Sequence, residues 1–171
     1  RYEAWHSQGT GAVSASHRRM TDIVIAVGEA DFDPASHLAR LEALSGGAVA
    51  SFTGIVRGGD GLIAMRLDHY PAMTEGQIAR IVEDACARWP LLGVVAAHRV
   101  GELRPGERIV FVGTASAHRA AALEACAFLI DWLKTSAPFW KKERFADGRS
   151  EWVEARAEDD TAAERWRQDV G

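Results

Sequence analysis

Between residues 22 and 156 the apolar positions switch between two regimes. Alternation and short apolar runs suit strands, whereas a spacing of three to four suits helices. Residues 23–27 (IVIAV) form a short β-prone run. Asp33 before Pro34 offers a helix N-cap with proline in the first turn, and Leu38, Leu41 and Leu44 mark the stripe that follows, ended by Gly46-Gly47. Residues 48–57 and 62–70 read as strands about the turn Gly58-Gly59-Asp60-Gly61. Thr74 is the expected cap of a second helix, with Ile78, Ile81, Val82 and Ala85 on its apolar face and its end at Trp89-Pro90. Strands are expected at 94–103 and 108–116 around Pro105-Gly106. A third helix then begins near Ser116, with Leu123, Cys126, Ala127, Ile130 and Leu133 on one face. Residues 139–145 and 150–156 complete the pattern as a hairpin about Asp147-Gly148. The order strand-helix-strand-strand-helix-strand-strand-helix-strand-strand predicts an α+β domain, with helices on largely antiparallel strands.

The pattern fades at both ends. Residues 1–19 lack periodicity and the apolar stretch of a secretory signal, so they read as a disordered or extraneous leader, with Met20 as the natural start. Residues 157–171 are acidic, with little to bury beyond Trp166 and Val170, and read as a flexible tail or frayed helix. One domain over 20–156 is therefore expected, and a chain that is 47% apolar can fill its core. No apolar run approaches the ~20 residues that cross a bilayer. With 24 acids against 20 bases the chain lacks the broad basic surface of a nucleic-acid coat. Neither GxGxxG nor GxxxxGK[ST] is present, which removes the main support for nucleotide folds. Cys86 and Cys126 each sit between alanines in helical patterns and read as small buried thiols in a reducing, cytoplasmic setting. No His/Cys spacing supports a metal, and no cofactor is expected.

Candidate chemistry enters through the bases. All but three are Arg, and the exceptions, Lys134, Lys141 and Lys142, fall within one short segment. Arg supplies fixed charge, whereas Lys can also transfer a proton or act as a nucleophile in a partly desolvated site. The cluster therefore points to amine chemistry, set against chance clustering on a solvated surface. His118 and Arg119 open the third helix, where free backbone N–H groups favour anions. Arg57 ends a strand beside a glycine-rich turn. Each of these reads equally as surface charge or as a ligand to phosphate. His118 and Lys134 stand ~24 Å apart on a straight helix at 1.5 Å per residue. Either they serve different sites, or a twofold dimer brings one subunit's helix start to the other's lysines.

FTGIVR, LDHYPAMTE, RWPLLGVVAAHRVGEL, PGERIVFVGTASAHR, DWLKTSAPFWKKE and WVEAR, in this order, resemble the large catalytic subunit of molybdopterin synthase. The resemblance covers 20–156. It implies an α/β hammerhead-type fold with an added antiparallel β subdomain. It also implies a sulfurtransferase of molybdenum cofactor biosynthesis, which converts cyclic pyranopterin monophosphate to molybdopterin by inserting two dithiolene sulfurs. The sulfur arrives as a thiocarboxylate on the C-terminal Gly-Gly of a small ubiquitin-like subunit, in a heterotetramer built on a dimer of large subunits. By motif, Lys134 and Lys141 match the essential lysines. Arg57, His118 and Arg119 match the substrate-anion contacts, with the His-Arg pair from the neighbouring subunit. Lys142 and Glu143 extend the binding segment, and Arg156 matches a further dimer-contributed Arg. Ile55 stands where the family often has Lys, so the resemblance implies no lysine side-chain contact from that position, though a backbone contact would survive.

Two other readings compete. A ferredoxin-like ligand-binding or regulatory module would use the same strand-helix pattern without catalysis. An RNA-binding module would stack bases on Phe139 and Trp140 beside Lys141 and Lys142, but the near-neutral body opposes it. Trp89 and Trp132 read as core or interface packing, Trp152 as the anchor of the last hairpin, and His69 and His98 as packed or surface residues.

Overall fold

The run Leu91–Arg99 is apolar on both faces, and a strand of that kind must be covered on both sides. In the computed structural model, which describes residues 20–153 and 157–167 (157–159 by backbone only), this demand organises the first of two sheets. Its strands are β1 (Asp22–Gly28), β2 (Ala48–Ile55), β4 (Leu91–Arg99) and β6 (Arg108–Ser116), in the order β1-β4-β6-β2. Only the β1–β4 pair is parallel; β4–β6 and β6–β2 are antiparallel.

Helix α1 (Pro34–Glu42) covers one face. Leu41, fully buried, packs there with Val95, Ala97, Phe111 and Ala115. The close approach requires glycine at 93 and 113, because a Cβ at either position would run into Leu41 or Leu44. Helices α2 (Pro71–Arg88) and α3 (Arg119–Thr135) cover the other face, where Ile78, Val82, Ala125, Phe128 and Leu129 meet Val94, Ala96 and Val112.

The second sheet contains β3 (Leu62–His69), β5 (Gly101–Leu103), β7 (Phe139–Phe145) and β8 (Ser150–Val153), ordered β5-β3-β7-β8 and antiparallel throughout. Met65, Leu67 and Leu103 form its buried face with Val56. An α+β fold with an added antiparallel sheet is what the sequence implies.

Several boundaries differ from expectation. The single strand expected over 94–103 is two strands in different sheets. Gly101 adopts φ +79°, a left-handed turn that passes the chain from one sheet to the other. Thr74 is not the cap of α2, which begins at Pro71 after Tyr70; its buried hydroxyl donates to the Tyr70 carbonyl at 2.9 Å. α3 starts at Arg119 with His118 as N-cap, and Leu123 lies outside its packing stripe, 60% exposed. The last hairpin strand ends at Val153, and its expected continuation through 156 lies outside the described residues.

The acidic C-terminal segment is α4 (Ala157–Glu164) followed by a 3-10 turn at Arg165–Arg167, rather than a tail clear of the fold. Trp166 provides the reason: it packs edge-on against Trp89 and Phe128, and its indole N–H donates to Asp131 at 2.8 Å. Residues 1–19 and 168–171 also lie outside the described residues.

Candidate functional site

Lys134 lies exposed in the last turn of α3, where the helix carbonyls favour a cation. The helix stops one residue later. The N–H groups of Ser136 and Ala137 both donate back to the Trp132 carbonyl, at 2.8 and 3.3 Å. The Thr135 hydroxyl donates to the Asp131 carbonyl at 2.8 Å, and Pro138 has no N–H with which to continue a helix. Phe139 then opens β7.

Side chains alternate along β7, and directly opposed residues of paired strands share a face. Lys141 stands opposite Leu67 and Glu143 opposite Met65, on the buried face of the sheet. The Lys141 amine lies 3.2 Å from the Glu143 carboxylate. Lys142 stands opposite Arg66 and Trp152, on the other face. Its amine sits 5.3 Å from the centre of the Trp152 ring, in a groove of about 170 Å³ shared with Arg66, Glu102 and Arg144. Lys141 and Lys142, expected in one binding segment, are therefore turned apart, while Glu143 stays with Lys141. Trp152 itself is 60% exposed and packs under that lysine rather than into a core.

Arg57 is held by its neighbour. Val56 is buried among Met65, Leu67 and Leu103, and its backbone is bonded twice to the 104–107 turn, donating to Glu107 O and accepting from Gly106 N at 2.9 Å each. Arg57 follows directly, exposed at the start of the glycine-rich loop. Ile55 is also exposed, at 55%.

His118 and Arg119 are exposed at the N-terminus of α3, and no side chain caps that end. The helix separates them from Lys134 by ~24 Å, so within one chain the His-Arg pair and Lys134 stand at opposite ends of α3. Arg156 lies outside the described residues. A second groove, about 640 Å³, runs between α2 and α3 beside Arg80, Asp84 and Trp132 and includes none of these candidates.

Neither cysteine is poised to react. Burial pushes the Cys126 thiol up to about 11 and raises that of Cys86, so both stay protonated near neutral pH. Among the described residues no group of three or more His, Cys, Asp or Glu is arranged to hold a metal. No described helix is long and apolar enough to cross a membrane.

Sequence reasoning missed the surroundings of Phe139. His98 is buried and stacks on the Phe139 ring, with centroids 3.9 Å apart and planes at 14°. His69 approaches the same ring at 6.0 Å. Hydropathy periodicity carries no signal for such a contact, because three different strands supply its members.

This arrangement has known counterparts. A family model described as MoaE protein matches residues 27–136. The molybdopterin synthase catalytic subunit of Pseudomonas aeruginosa is 50% identical over 151 residues, covering 85% of this chain and all of that one. Its Escherichia coli counterpart is 55% identical over 123 residues, 70% of this chain and 81% of that one. Among solved structures, the molybdopterin biosynthesis MoaE protein from Burkholderia ambifaria superposes with a TM-score of 0.73 at 45% identity, over 86% of this chain and 99% of its own. The complex of subunits 1 and 2 of molybdopterin-converting factor from Helicobacter pylori gives 0.62 at 25% identity, over 78% and 91%. Relatives at about half identity over most of their length, and a family model that runs from the end of β1 to the end of α3, show that the chain belongs to the MoaE family.

Proposed function

We propose that this chain is the large, catalytic subunit of a molybdopterin synthase, with 20–156 as its catalytic domain. It transfers sulfur from the C-terminal thiocarboxylate of a small ubiquitin-like subunit to cyclic pyranopterin monophosphate, forming the dithiolene of molybdopterin. The observation that carries this reading, beside family membership, is that Lys134 in the last turn of α3 and Lys141 on β7 are joined through the short 136–138 turn, with the Lys141 amine held 3.2 Å from the Glu143 carboxylate. The solved Helicobacter pylori complex, which pairs two subunits of molybdopterin-converting factor, supports a two-subunit enzyme.

A thiocarboxylate sulfur is already nucleophilic, so no thiol of this chain has to attack. The protonated state of Cys86 and Cys126 agrees with that division. Lys134 stabilises the oxyanion or moves a proton at the acyl-sulfur centre. Lys141, braced by Glu143, assists opening and positioning of the phosphate ester. Arg57, His118 and Arg119 bind the cyclic phosphate by charge-assisted hydrogen bonds. The length of α3 keeps the last two from Lys134 within one subunit, so the reading takes them, with Arg156, from the neighbour in a homodimer at the centre of a heterotetramer. The free state of both cysteines suits a cytoplasmic setting. A non-catalytic ferredoxin-like module is not favoured, since the relatives are catalytic subunits.

The test mixes the protein with thiocarboxylated small subunit and the pterin, and measures dithiolene product. Product is expected, and its absence overturns the assignment. Lys134→Arg keeps charge but removes the readily transferred proton, and should lower turnover by about 10²-fold or more at unchanged stability. Full activity in that variant would refute the role given to Lys134.

A further inference from the structure

Phe139 belongs to both hydrophobic clusters, the one under α3 and the one under the second sheet. It lies between Lys134 and Lys141 in the chain and shares the Lys141 face of β7. Two imidazoles hold its ring. His98, near the end of β4, stacks face to face on it, and His69, its direct partner at the end of β3, meets it at 36°.

Both imidazoles are themselves oriented. His98 Nδ1 lies 2.7 Å from the Arg99 carbonyl, which can only accept, so Nδ1 carries the proton. The Thr74 hydroxyl already donates to the Tyr70 carbonyl, so at 3.2 Å it accepts from His69 Nδ1. The ring of Phe139 is thus gripped from each sheet by a side chain anchored to that sheet's own terminus or to the helix beside it. The backbone adds a tight turn, with the Phe139 N–H donating to the Ala137 carbonyl at 2.8 Å.

We propose that His98 and His69 form a two-sided clamp on Phe139, and that Phe139 is the positioning residue that sets Lys134 and Lys141 relative to each other. The inference rests on the reading of those two lysines as the reacting amines. The role given to the three aromatic residues is to act through the lysines.

Because the chain has only three lysines, ¹⁵N-lysine labelling gives three side-chain signals, and Lys142 on the opposite face serves as an internal control. His98→Asn keeps a donor for the Arg99 carbonyl but removes the stacked ring; Phe139→Leu removes the ring that is gripped. Each should shift the Lys141 signal, leave Lys142 in place, and lower kcat by roughly 10²-fold, as expected when a reacting group is displaced by about 1 Å. The KM for the pterin should be unchanged. His98→Phe restores a stacking ring and should return the Lys141 signal toward that of the unaltered protein. An unmoved Lys141 signal in both ring-deleting variants overturns the clamp, and so does a shift of Lys142 as large as that of Lys141, which would mean general loosening. A selective Lys141 shift in a protein that makes no dithiolene would support the clamp while removing the catalytic reading.

Discussion

The two sheets divide the molecule differently. The β1-β4-β6-β2 sheet is covered on both faces by helices, and its central strands β4 and β6 are buried almost throughout. The β5-β3-β7-β8 sheet buries one face and leaves the other to Arg66, Trp140, Lys142, Arg144 and Trp152. None of the candidate residues within the described chain lies on a strand of the first sheet. Arg57 follows the end of β2, His118 follows the end of β6, and Lys134 ends the helix packed above; Lys141, Lys142 and Glu143 are on the second sheet. A frame packed to this density sets where its exits point but leaves no room for a solvated, charged side chain within it. On the half-covered sheet Lys141 and Glu143 stand on the packed face yet keep 35% and 24% of their side chains exposed, so an amine there is held and still reached from solvent.

The comparison breaks most sharply at Phe111, fully buried between the first sheet and α1 and stacked on His37 of that helix. Phe111→Ala should destabilise the protein by about 3–5 kcal/mol, read by chemical denaturation, while leaving the lysines chemically intact. A loss below about 1 kcal/mol would mean that the frame is far less tightly packed than it looks.

A comparable effect is expected from acid at the joint between the sheets. Burial, with a smaller contribution from His69 nearby, lowers the His98 imidazole to about 4 from the usual 6.5, against the opposing hydrogen bond to Arg99. The folded value lies below the unfolded one, so the unfolded chain takes up the proton first. Stability from this group is complete above pH 6.5 and falls as pH drops toward 4, by up to about 3 kcal/mol. Melting temperature followed against pH should show that slope in the unaltered protein and lose it in His98→Phe. The carboxylates common to both proteins cancel in the difference, and equal slopes would show that His98 does not titrate in this window.

The smallest effect belongs to the open face. Lys142→Ala removes a cation from an exposed ring and should cost no more than about 1 kcal/mol. It should also leave turnover close to that of the unaltered protein, in contrast to Lys141→Ala. Equal losses of activity in the two variants would erase the distinction between the faces.

Much of this was legible in the chain. The apolar run in β4, the Asp33-Pro34 start of α1 and the Asp147-Gly148 hairpin are local signals, and local physics decides them. The lysine cluster was visible as composition. The break between β4 and β5 was not, because Gly101 within an apolar run reads as ordinary strand until its positive φ is known. The docking of Trp166 on Trp89, Phe128 and Asp131 was hidden because its partners are distant in sequence and its own segment is acidic. The clamp on Phe139 was invisible for a related reason: two imidazoles in separate strands have no shared period. In each case the missing information is a long-range contact, which hydropathy along one segment does not encode.

The opposite orientation of Lys141 and Lys142 has a consequence for how this chain can vary. A strand's two faces differ by one residue, so a slip of β7 by a single position against β3 would exchange the two amines. It would also turn Trp140 inward and Phe139 out to solvent. The protein would keep its composition and its lysine pair, yet present the wrong amine on the wrong side. Insertions or deletions in the short 136–138 turn should therefore be tolerated far less than substitutions there. The irregularity that pins β3 between Leu62 and Ala64 then serves as a guard of chemical identity as much as a feature of the sheet.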